Sequence, residues 1–294
     1  MNIKGIYAGR PALFQALLLI LLILAGSCLA AVFSLLFFST GESMSNATSL
    51  RITQLISSIC MFLFPAISAA YLFSHNVHYY LSIQGMPSIK ILVIMLVSML
   101  LIIPIIEVTS IINQQMQLPS FLAPIETWMR EQEDMMNKLT KLLLEGKGIG
   151  TLLANLFVIA VVAGVTEEFM FRGTVQRILE KKSTNHHVVI WTAAFLFSAF
   201  HFQFYGLVPR MLLGAYFGYL LYWSKNIWIP VIAHFFNNMC GVLTMSNPTL
   251  SENKILSDTA NLSEIVPVAS VCLLFFIVCV LNLKKMLASK VLFP

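Results

Sequence analysis

Apolar runs of about 20 residues recur along the whole chain, and that recurrence limits the fold more than any other feature. A hydrocarbon core about 30 Å thick is crossed by a helix of about 20 apolar residues. Runs of this kind lie near 12–38, 52–73, 90–112, 151–171, 187–203, 208–223, 227–246 and 264–283. Only 11% of the 294 residues are charged, where a soluble domain carries about 25%. A hydrophobic fraction of 58% equally excludes a disordered chain. The expected fold class is therefore all-α: a polytopic membrane helical bundle of about eight transmembrane helices plus one interfacial amphipathic helix.

The basic residues test that count. With the N-terminus cytoplasmic, one side of the membrane receives Lys4, Arg10, Lys90, Arg177, Lys181, Lys182, Lys225, Lys284, Lys285 and Lys290. The short loops of the other side hold only Arg51 and Lys254, beside Glu42, Glu252, Asp258 and Glu264. The positive-inside rule is met by eight spans with both termini cytoplasmic. The net charge of +5 then reflects orientation in the bilayer, and no nucleic-acid partner is expected. The first run is too long for a signal-peptide core and lacks a clean cleavage pattern, so it reads as a retained helix. Five cysteines scattered through apolar runs, with no CxxC pair, indicate neither a disulfide framework nor a zinc–thiolate site.

Four regions follow: three N-terminal helices (1–113), an outward-facing connection (114–149), a helical core (150–246), and a C-terminal loop, last helix and basic tail (247–294). In the connection, Pro119 and Pro124 precede Ile125, Trp128, Met129, Met136, Leu139, Leu142 and Leu143 at helical spacing. Glu126, Arg130, Glu131, Glu133, Asp134, Lys138 and Lys141 take the other face. That pattern describes a helix lying in the interface, either as a plain connector or as a cover over a substrate entrance.

Ionisable side chains at membrane depth cost at least about 2.5–3.5 kcal/mol each on insertion scales. Here they gather in three places: Glu167-Glu168-Phe-Met-Phe-Arg172, Phe197-Ser-Ala-Phe-His201 and His234-Phe-Phe-Asn-Asn238. Three polar clusters on three helices suggest one shared chamber. Glu168 and Arg172 are four apart and can pair on one helix face. Glu167 is rotated about 100° away and has no basic residue one turn on, so it must find a partner on another helix or hold a proton. His234 and Asn238 share a face, and Phe197, one turn before His201, can wall the site. Counting 1.5 Å per residue puts Glu167 and His201 at similar depth. His234 comes out shallower, unless the turn around Lys225 and Asn226 is recessed.

A carboxylate and an imidazole can hold a water and take its proton. A second imidazole and an amide can donate to the oxygen that turns negative when water attacks a carbonyl. These are the parts for hydrolysing an amide without a covalent intermediate. Ser198 stands in no nucleophile context. A divalent metal such as zinc, held by Glu167, His201 and His234, is the alternative. The chain has no HExxH and asparagine is a poor zinc ligand, so a cofactor-free site leads. An intramembrane Glu–His set also serves proton-coupled transporters.

The ordered trio EExxxR, FxxxH and HxxxN resembles the CAAX-protease and bacteriocin-processing (CPBP, or Abi) family of intramembrane endopeptidases, of the type II CAAX prenyl endopeptidase kind. The resemblance spans about 150–245. It implies an eight-helix fold and peptide hydrolysis within the membrane, with membrane-embedded, prenylated or leader-peptide substrates. By position it implies that Glu167 and His201 activate water and that His234 and Asn238 stabilise the oxyanion. Glu168 and Arg172 then support the site, beside Phe197 as the wall that its spacing suggests. Some members of the family act as non-catalytic immunity or regulatory proteins. A bacterial cytoplasmic membrane is the expected location.

Overall fold

The computed structural model describes residues 3–37, 46–247 and 261–291, with side chains to 287. Glu42, Glu252, Lys254 and Asp258 of the charge pattern lie outside the described residues, as does the side chain of Lys290. Among the described residues the secondary structure is entirely helical. The helices are α1 (Ala12–Phe37), α2 (Ala47–Phe73), α3 (Val77–Tyr80), α4 (Ile89–Gln114) and α5 (Ala123–Leu144). They continue with α6 (Ile149–Glu180), α7 (His186–Ala199), α8 (Leu207–Ser224), α9 (Trp228–Ser246) and α10 (Leu262–Val291).

Five helices, α1, α2, α4, α6 and α10, are long and apolar enough to cross a bilayer. They make the chain an integral membrane protein, and their outward side chains fit that setting. Leu35 and Leu36 on α1 are 72% and 76% exposed, a burden for a water-facing surface but not for a lipid-facing one. The remaining three expected spans differ from this description. Helix α7 has 14 residues, about 21 Å of helix, so the helix by itself is shorter than the hydrocarbon core. Helices α8 and α9, of 18 and 19 residues, carry Arg210, His234, Asn237 and Asn238, which dilute their apolar character.

Packing proceeds in pairs: α1 along α2, α4 along α10, α7 along α8, and α9 along the middle of α6. Small residues permit the close approaches, as expected where helices associate through van der Waals fit in lipid. Ala66, Ala69 and Ala70 of α2 are fully buried. A Cβ on Gly26 of α1 would overlap the carbonyl oxygen of Cys60 on α2, and one on Gly164 of α6 would stand 3.1 Å from the Phe235 amide nitrogen of α9. Two apolar cores result. One joins α1, α2 and α6 through Leu19, Phe73, Phe169 and Met170. The other joins α4, α8, α9 and α10 through Met95, Met99, Phe217, Ala233 and Leu283. The polar side chains of α6 and α9 sit between them.

Helix α6 contains two π-helical turns, Leu156–Val162 and Phe171–Val175. Such turns widen the helix and displace carbonyls from the regular ladder. The first flanks the Glu167 pair on one side, and the second contains Arg172.

Candidate active site

The predicted residues converge. Arg172 Nη1 donates to Glu168 Oε1 at 2.8 Å, and Arg172 Nη2 donates to the carbonyl of Gly214 on α8 at 2.9 Å. The guanidinium also lies over the rings of Phe197 and Phe217, 4.4 and 5.5 Å from their centroids. Arg172 and Glu168 are 1% and 0% exposed, so each relies on the other and on these contacts for its solvation. The same Glu168 Oε1 lies 2.8 Å from His234 Nδ1. Glu168 thus joins α6 to α9 as well as pairing along its own helix, a link that i,i+4 spacing alone does not disclose.

Glu167 Oε2 lies 3.9 Å from His201 Nε2 and 3.9 Å from His234 Nε2. It is buried and has no hydrogen-bond partner within the protein. A water molecule bonded at about 2.8 Å to both a carboxylate and an imidazole spans such a gap. Beside it lies a cavity of about 360 Å³, lined by Glu167, His201, His234, Asn237, Asn238 and Arg210 among others. That space is polar and roomy enough for water.

Tautomers follow from the partners. His201 Nδ1 is 2.9 Å from the carbonyl of Phe197. A carbonyl only accepts, so Nδ1 carries the hydrogen and the neutral ring turns its Nε2 lone pair toward Glu167. His234 Nδ1 faces a carboxylate that Arg172 already holds, so it too donates. Its Nε2 is then an acceptor when the ring is neutral and a donor only when both nitrogens are protonated.

His201 does not stand on a helix, contrary to the expected run to 203. Helix α7 ends at Ala199, and Phe202 takes φ +53°, a left-handed conformation that terminates helices. The imidazole then bonds a carbonyl of the last turn, which the broken ladder leaves without its usual amide. Phe197 packs edge-on against both histidines, with ring centroids 5.1 and 5.8 Å away. Ser198 is buried and donates to the Leu207 carbonyl at 2.7 Å, a bond that ties α7 to α8.

Asn238 Nδ2 donates to the Ile159 carbonyl in the first π-turn at 2.9 Å, while its Oδ1 accepts from Asn237 at 3.2 Å. These two bonds orient the amide and leave one N–H of Nδ2 for the cavity. His234 nonetheless meets Glu167, and the turn before α9 is packed into the protein against the segment after α3. Asn226 is buried, with its Nδ2 donating to the Gly85 carbonyl at 2.8 Å, and Ile227 N donates to the Ser82 carbonyl at 2.9 Å.

Two features escaped the sequence reading. Arg210 lines the cavity and is held by Gln203, through its side-chain oxygen at 3.0 Å and its carbonyl at 3.4 Å. Its sequence signal was a lone cation in an apolar run. The loop after His201 is also clasped by α5. Trp128 packs on Phe204 with centroids 5.2 Å apart, Arg130 lies over Tyr205 at 4.5 Å, and Glu133 accepts from Tyr205 N at 3.2 Å. Glu133 therefore faces the protein, although its place on the polar side of α5 predicted a free surface.

At the head of α5, Glu126 accepts from Arg130 at 2.7 Å and from Leu118 N at 2.9 Å. The Arg130 guanidinium, then the Leu118 amide, hold the Glu126 carboxyl below the usual carboxylate range. The stabilisation from this depressed group is complete above the ordinary carboxylate pKa and lost as pH falls through the lowered value. Exchange protection of the Leu118 amide, corrected for intrinsic rate, is expected to persist at pH 5 and to drop only under stronger acid. In Glu126→Gln the acid step should vanish. An unchanged step would place the titrating group elsewhere.

No three His, Cys, Asp or Glu side chains among the described residues form a metal-holding group.

Residues 149–240 match the family model described as type II CAAX prenyl endopeptidase Rce1-like. The match covers about a third of the chain and includes Glu167, Arg172, His201, His234 and Asn238, in keeping with the resemblance read from the three motifs. Comparison with curated proteins and with solved structures finds no match.

Proposed function

We propose that the protein is an intramembrane endopeptidase that hydrolyses peptide bonds of membrane-associated, lipidated or leader peptides by direct attack of water. The observation that carries this reading is the unbonded Glu167 Oε2, 3.9 Å from the Nε2 atoms of two histidines. Similarity of residues 149–240 to the prenyl endopeptidase family supports it.

In this mechanism a water sits between Glu167 and His201. Its attacking oxygen loses a proton to that pair as the new C–O bond forms, and the carbonyl oxygen becomes negative. His234 donates to this oxygen from Nε2 in its doubly protonated form. In that form the charges of Arg172 and His234 offset those of Glu167 and Glu168, so these four groups sum to zero. Asn238 gives the remaining amide hydrogen. Collapse of the tetrahedral species expels the amine, which takes up the proton held by Glu167 and His201. The serine nearby is engaged with α8 and takes no part. The proposal includes eight crossings of a bacterial cytoplasmic membrane with both termini cytoplasmic.

The test is comparative peptidomics of membranes holding either the wild type or His201→Ala at equal expression. Peptides released only by the wild type are expected, with solvent oxygen in the new carboxylate. Identical peptide sets would count against proteolysis. Uptake into liposomes driven by a pH gradient and lost in His201→Ala would favour a proton-coupled transporter instead.

A further inference from the structure

A second cavity, of about 730 Å³, shares no lining residue with the Glu167 chamber and lies where the start of α1 meets the end of α6. Leu13, Ile178 and Leu179 give it apolar walls, while Arg10, Lys181 and Lys182 stand at the same opening. Its lining includes no acidic residue. Glu180, the neighbouring acid, is paired with Arg177 at 3.1 Å. Lys181 Nζ donates to the carbonyls of Ala8 and Arg10, at 2.8 and 3.2 Å. That bond pins the N-terminal segment to the end of α6 and fixes the rim. Lys182 has no partner among the described residues, and the Arg10 guanidinium lies 5.6 Å over the Phe14 ring.

We infer that this cavity binds an anionic phospholipid, with an acyl chain against Leu13, Ile178 and Leu179 and the phosphate at Arg10 and Lys182. The cavity sits at the ends of two helices long enough to span a bilayer. Its apolar half is therefore at chain depth and its cationic rim at headgroup depth. Basic pockets between membrane helices select anionic headgroups on this ground. A free phosphate satisfies the rim but leaves the walls bare, and a zwitterionic lipid fills the walls but leaves the rim uncompensated. The inference does not depend on the proteolytic reading.

Native mass spectrometry of the full chain, titrated with phosphatidylglycerol or phosphatidylcholine of identical acyl chains, tests it. Wild type is expected to bind phosphatidylglycerol at least tenfold more tightly. The Arg10→Gln/Lys182→Gln variant should lose that preference while keeping its helicity. Lys285→Gln, a charge change outside the cavity, should retain it. Ala16→Phe, which fills the apolar part and leaves the cations, should weaken both lipids and covers the case in which the double variant fails to fold. Equal affinity for the two lipids in wild type would overturn the inference. So would an equal loss in Lys285→Gln, or displacement by glycerol phosphate alone at the lipid's own concentration.

Discussion

Glu167→Gln is expected to lower kcat for peptide hydrolysis by about 10²–10⁴-fold, the span that a positioned acid–base group contributes. The substitution keeps shape and removes the site that accepts the water's proton. Since Glu167 Oε2 bonds no protein atom, its replacement breaks no protein hydrogen bond at that atom, and the thermal unfolding profile in detergent should stay near that of wild type. Binding of an uncleavable peptide should persist as well. The loss then falls on kcat with KM little altered, the signature of an interaction made chiefly in the transition state. Retained turnover in a well-folded Glu167→Gln protein would remove Glu167 from the chemistry.

The opposite division is expected five residues along, at Arg172. Arg172→Met removes the cation paired with Glu168, whose Oε1 also faces His234 Nδ1, and the donor to the Gly214 carbonyl. Loss of one partner from a buried pair costs about 3–5 kcal/mol, here because the buried cluster is left one cation short. A large fall in unfolding temperature or in the yield of folded protein should follow. The double substitution Glu168→Gln/Arg172→Met should recover part of that stability, since the stranded carboxylate is gone. It should not recover activity, because His234 then lacks the carboxylate that holds its Nδ1. If the double variant were no more stable than Arg172→Met alone, the pair would not be the source of the cost.

Much of this arrangement was legible in the sequence. The three polar clusters stood out because charges are rare in apolar runs, and i,i+4 spacing sufficed for Glu168 with Arg172. What stayed hidden depends on tertiary contact. Nothing in the apolar run through 203 announces the break after Ala199, since Phe202 in a left-handed conformation is held by its surroundings and not by its residue type. Likewise, the bond from Glu168 to His234 crosses 66 positions. The inward turn of Glu133 appears only once the loop around Tyr205 is in place. Span counting was least dependable where the site itself lies, because the polar residues of α8 and α9 that line the cavity also lower their hydropathy.

An imidazole borne on a turn is only as steady as whatever clamps the turn. Here the clamp is α5, whose Trp128, Arg130 and Glu133 grip the segment that follows His201. On the proposed reading α5 lies at the lipid–water boundary, where bilayer curvature and composition act on such a helix. On that reading, bending the membrane reaches His201 through the protein's own scaffold, and the proposed turnover is expected to vary with the mechanical state of the bilayer.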